Sequence, residues 1–137
     1  MLDVEDSLRR LATTVDHHYQ HIANRHEFMR AWAVQFELAY TDFRVIQLAL
    51  QLDGKEHELL ERFTATYDDV YEYEYAFAAG GLEGFDAKFS GRLDSYKSDV
   101  DLLLGTISEI QSLDRHPPVM RMTPDGHSVT TTLAGTA

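Results

Sequence analysis

The chain has no cysteine. That excludes disulfide staples, thiolate metal sites and cysteine nucleophiles together. Lysine is nearly as scarce, with only Lys55, Lys88 and Lys97 among 137 residues. At a formal charge of −11, the chain lacks the clustered cations that neutralise phosphates, so direct nucleic-acid binding is not expected. Nor does any stretch reach the ~18 uncharged apolar residues that mark a membrane span. The most apolar segment, 31–52, is interrupted by Glu37, Asp42 and Arg44. The opening MLDVEDSLRR is charged and lacks the apolar run of a signal peptide, so a cytoplasmic protein without membrane contact is expected.

Catalytic motifs are missing too. No nucleophile elbow, triad spacing, phosphate loop or nucleotide fingerprint occurs. Gly80-Gly81-Leu82-Glu83-Gly84 is rich in glycine. It follows no strand and carries no Lys-Ser/Thr, so it reads as a loop between helices.

What is present is apolar and periodic. At 44 % apolar residues, with seven Tyr, seven Phe and one Trp, the chain is long enough for one domain with a real core. From Leu8 onward, apolar residues recur every three or four positions: Leu11, Val15, Tyr19, Ile22, His26, Met29, Ala33, Phe36, Tyr40 and Phe43. This stripe predicts one long or kinked N-terminal helix, ending at Asp53-Gly54. Asn24 followed by Glu27 has the form of a capping box, the one place where a new helix would start. Because the stripe stays in phase there, continuity is favoured. A second helix is expected from about Lys55 to Ala79 and a third from about Phe85 to Leu113. Residues 25–52, 55–79 and 85–113 are nearly equal in length, as members of one antiparallel bundle should be. Residues 3–24 add roughly 30 Å of helix at 1.5 Å per residue. They either fold back as a fourth member or pack on a second chain. The expected class is therefore all-α: an antiparallel helical bundle over 1–113, then a tail over 114–137. In the tail, VMRM, TPDG and HSVTTTL suit a weak β-hairpin, and the Ser/Thr-rich composition equally suits disorder.

The segment AWAVQFELAYTDFRVIQLALQL, residues 31–52, is apolar nearly all round. Trp32, Phe36, Tyr40 and Phe43 point one way on a helical wheel, and Val34, Leu38, Val45, Leu48 and Leu52 another. A helix of this kind must be surrounded. Two or three other helices leave part of it for a second subunit, so a homodimer is expected, with Trp32, Phe36, Tyr40 and Phe43 as its interface.

Three groups of residues are chemical candidates. His17, His18, His21 and His26 crowd one segment, and His17 and His21 stand one turn apart, a spacing that lets two imidazoles reach one metal ion. Both face away from the apolar stripe, and the ligand sets of di-iron carboxylate bundles are absent. Ordinary surface histidines are the simpler account, with His26, inside the stripe, as a buried neutral imidazole. Glu74 falls within the apolar arc of the second helix. A buried carboxylate there needs an Arg, a Tyr hydroxyl or a His beside it. Lastly, Tyr67, Tyr71 and Tyr75 lie four apart along one flank, beside Asp68, Asp69 and Glu72. The rings either complete the core or offer a basic protein partner an aromatic, acidic surface.

Together these features suggest a non-enzymatic helical homo-oligomer that binds another, possibly basic, protein, as an adaptor, a chaperone or an acidic inhibitor, with no cofactor. A metal-binding or redox bundle is the alternative, and a pocket for a small ligand around Trp32 and the tyrosines is a third.

Overall fold

The structure is a computed structural model that describes residues 3–115. Its four helices are α1 (Glu5–Ala23), α2 (Arg30–Asp53), α3 (His57–Phe89) and α4 (Leu93–Arg115). α1 packs on α2 and α4, α3 packs on α2 and α4, and α1 touches α3 more lightly across the middle. This is an antiparallel four-helix bundle, and no strand occurs among the described residues. No described helix is long and apolar enough to cross a membrane. The hairpin or disordered end expected after α4 lies outside the described residues.

α1 folds back as the fourth member, so the expected continuous N-terminal helix is corrected to two helices. α1 ends in a Schellman motif, in which the His26 N–H donates to the His21 carbonyl at 2.9 Å and the Arg25 N–H to the Ile22 carbonyl at 3.1 Å. Arg25 takes the left-handed conformation usually given to glycine, at φ 61°. Its guanidinium then grips both oxygens of Asp86 in α3 at 2.9 and 2.6 Å. Asn24 is the last cap of α1, not the first residue of a new capping box.

The third boundary also moves. α3 continues past Ala79 but is broken at Gly81 (φ 66°, ψ −157°), a conformation essentially reserved for glycine. Its second arm turns Leu82, Phe85 and Phe89 into the core. Gly91, at φ 78°, then turns the chain into α4. The expected start of the last helix at Phe85 is thus replaced by Leu93.

The core runs through all four helices, with Leu8, Leu11, Val15, Ile22, Ile46, Leu50, Phe63, Phe77, Tyr96, Leu103, Ile107 and Ile110 sealed from solvent. Arg10–Asp42 at 2.9 Å ties α1 to α2, and Arg62–Glu109 at 2.8 Å ties α3 to α4. Both arginines are more than a third exposed, so these pairs orient neighbours more than they stabilise.

α2 differs from the other helices. Trp32, Ala39, Phe43, Ile46 and Leu50 are buried within the chain, whereas Val34, Leu38, Val45, Leu48 and Leu52 stand on its outer face, exposed. Trp32 and Phe43 therefore belong to the core of their own chain and not to a subunit interface. Phe43 stacks on Tyr67 with centroids 4.1 Å apart, and Trp32 on Phe77 at 6.0 Å.

Candidate functional site, an aromatic ridge edged by carboxylates

Where α2 meets α3, four aromatic side chains form a surface ridge. Phe36 and Tyr40 come from α2, one turn apart, and Tyr71 and Tyr75 from α3, also one turn apart. Tyr71 and Tyr75 stack nearly parallel, with centroids 5.8 Å apart and planes at 12°. Phe36 packs on Tyr71 at 5.2 Å and Tyr40 meets it edge-on at 6.1 Å. Tyr40 is 46 % exposed and Tyr75 52 %. The i, i+4 spacing on two adjacent helices produces this, because each pair rises along the edge of its own helix.

Exposed acids edge the ridge: Glu37 on α2, and Asp68 and Glu72 on α3. Burial raises the Tyr71 pKa, and Tyr75, Tyr40, Glu72 and Glu37 add to the effect. The rings of Tyr40 and Tyr75 stand half out of the bundle, where a cation can reach them. Lys88 lies 3.5 Å from Glu72 and partly balances its charge.

Not every tyrosine and acid of that stretch joins the ridge. Tyr67 is buried, 3 % exposed, with its pKa raised first by burial and then by Glu74. It belongs to the core and is removed from the expected binding set. Asp69 points to the α4 side, where burial and the nearby Asp99 raise its pKa. Phe36 and Tyr40, expected at a dimer interface, stand instead beside Tyr71 and Tyr75.

The polar group inside the core is separate. His18, Glu74 and Tyr96 are 3, 4 and 0 % exposed. His18 Nδ1 lies 3.3 Å from Glu74 Oε1, and the Tyr96 hydroxyl donates to Glu74 Oε2 at 3.0 Å. Glu74 thus has the Tyr and His partners that its position demanded. Burial raises its pKa, while the His18 bond, the His18 charge and the Tyr96 bond pull it down. Sealed this closely, the triad links α1, α3 and α4 and admits no substrate.

The metal expectation at His17 and His21 meets a different arrangement. The two rings lie 4.2 Å apart, but His21 stacks on Trp32 at 3.7 Å and its Nδ1 sits 3.0 Å from His26 Nδ1. Burial lowers the His21 pKa, and His17, His26 and His18 reinforce it. Among the described residues no group of three or more His, Cys, Asp or Glu is placed to hold a metal ion. His26 is exposed, contrary to its expected burial, because the turn after α1 swings it off the stripe. The buried histidine is His18, whose spacing from Val15 and Ile22 fits the core face of α1 equally well.

Comparison with protein-family models, with curated proteins and with solved structures returned no match.

Proposed function

We propose that this protein acts without catalysis, by binding a cationic segment of another protein on the ridge of Phe36, Tyr40, Tyr71 and Tyr75. The observation that carries this reading is the half-exposed Tyr75 stacked on the partly buried Tyr71, with carboxylates beside the pair. Exposed aromatics of this size give contact area at low entropic cost, and Arg or Lys gains from both ring faces and nearby acids. The charge of −11 adds steering toward a basic partner and speeds encounter. An adaptor, a chaperone and an acidic inhibitor all use such a surface, and in each case the work is done in the cytoplasm and off nucleic acid.

The test separates the site from bulk charge. A synthetic arginine-glycine peptide is titrated by calorimetry into wild type, Tyr71→Ala/Tyr75→Ala and Asp68→Asn/Glu72→Gln. A control, Glu83→Gln/Asp94→Asn, removes the same charge elsewhere on the surface. The first two variants should each weaken binding about tenfold or more, as loss of an aromatic anchor or its partner charge does. Equal affinity for the aromatic variant and wild type, or equal loss in the control, would reject the ridge as the site.

A further inference from the structure

The outer face of α2 carries a different pattern from the ridge. Val34, Leu38, Thr41, Val45, Leu48 and Leu52 are spaced four, three, four, three and four residues apart, with Ala31 continuing the series upward. All are exposed, the five large aliphatics by 41 to 75 %. α2 already buries its other side through Trp32, Ala39, Phe43, Ile46 and Leu50. The second stripe is therefore surplus to the fold of the single chain. Its strict alternation of three and four is the seam of a two-helix coiled coil, narrower than the face an ordinary bundle helix needs.

We infer that this seam pairs α2 antiparallel with α2 of a second copy of the chain. Three features select that occupant. First, a repeat of this period is matched by another helix of the same period, and the chain offers one in itself. Set antiparallel about its centre, Val34 faces Val45 of the partner subunit, Leu38 faces Thr41 of the partner subunit, and Ala31 faces Leu48 of the partner subunit. Second, the seam carries no charge across its whole length in a chain of net charge −11, so two copies repel each other least there. Third, the flanks are complementary. Glu37 and Arg44 are exposed, seven residues apart on the same edge of the seam, and among the described residues neither makes an ion pair. The antiparallel register sets Glu37 against Arg44 of the partner subunit, and two-fold symmetry makes that contact twice.

The experiment is sedimentation equilibrium at micromolar concentration, with circular dichroism to confirm folding. Wild type should be a dimer. Leu38→Asn should be a monomer with the helical signal retained, since the side chain faces water in the single chain. Glu37→Arg and Arg44→Glu should each raise the dimer dissociation constant about tenfold or more by opposing like charges twice. The double variant Glu37→Arg/Arg44→Glu should return it close to wild type. A monomeric wild type overturns the inference, whether the face is then covered by residues 116–137 or by a different protein. A dimer indifferent to Leu38→Asn overturns the seam. Failure of the charge swap to restore affinity overturns the antiparallel register. Leu38 lies off the aromatic ridge, so a monomeric wild type or an indifferent Leu38→Asn leaves the peptide-binding test untouched.

Discussion

The two long faces of α2 are equally apolar and have opposite fates. The inner face, with Trp32, Ala39, Phe43, Ile46 and Leu50, is held by rings and aliphatics of the other helices: Phe43 alone meets Phe63 at 5.2 Å and Tyr67 at 4.1 Å. The outer face, with Val34, Leu38, Val45, Leu48 and Leu52, stays 41 to 75 % exposed. Equal hydrophobicity is thus not equal contribution to the fold. What separates the two is the width of the stripe and the aromatics. The inner face is broad and carries rings that reach across to α3, whereas the outer one is a narrow aliphatic line.

That contrast is sharpest at Phe43. Phe43→Ala removes a ring stacked at 4.1 Å on Tyr67 and should lower unfolding free energy by roughly 3–5 kcal/mol. Urea denaturation measures it, and a loss under about 1 kcal/mol would mean that the inner face is as dispensable as the outer.

A second break point is the acid sealed behind the inner face. Burial raises the Glu74 pKa above its ordinary 4.5. The folded state then holds the proton more tightly than the unfolded chain. Stability from Glu74 is accordingly full below about pH 4.5 and lost as pH rises through the folded value. Glu74→Gln cannot ionise, so its unfolding free energy should gain on that of wild type as pH rises above about 4.5, until the folded Glu74 has ionised. Parallel profiles for the two proteins would show that His18 and Tyr96 compensate the burial fully.

The smallest effect belongs to the outer face. Leu48→Ser, measured at a concentration low enough to keep the protein monomeric, should change unfolding free energy by no more than about 0.5 kcal/mol. A loss comparable to that of Phe43→Ala would place Leu48 in the core of the single chain and end the contrast.

Much of this architecture is legible in the residues. The stripes Leu8–Leu11–Val15 and Tyr96–Val100–Leu103–Ile107 fix which faces of α1 and α4 turn inward, because burial follows the helical period. The need of Glu74 for a His or Tyr partner follows from the cost of burying a bare carboxylate. The two-sided character of α2 is equally plain. The breaks are less so. Asp53-Gly54 announces its turn through glycine, but the turn at Arg25 uses a residue that rarely adopts that conformation, so a stripe in phase across it looked continuous. Phe89 is in phase with Leu93 and Tyr96 as well, although Gly91 separates them into different helices.

The candidate site divides the same way. Tyr71 and Tyr75 four residues apart are a local fact, and helix geometry alone puts them on one flank. That Phe36 and Tyr40 join them, that Tyr67 leaves them for the core, and that His18 rather than His26 reaches Glu74 depend on which helices become neighbours. Sequence by itself determined the helices, their apolar faces and the excess of acid, since these rest on period, propensity and composition. Only the tertiary structure decided which of the two apolar faces of α2 is spent inside the bundle, because that choice depends on how α1 and α3 fit against it in space, and no spacing along the chain encodes the rotation of one helix against another.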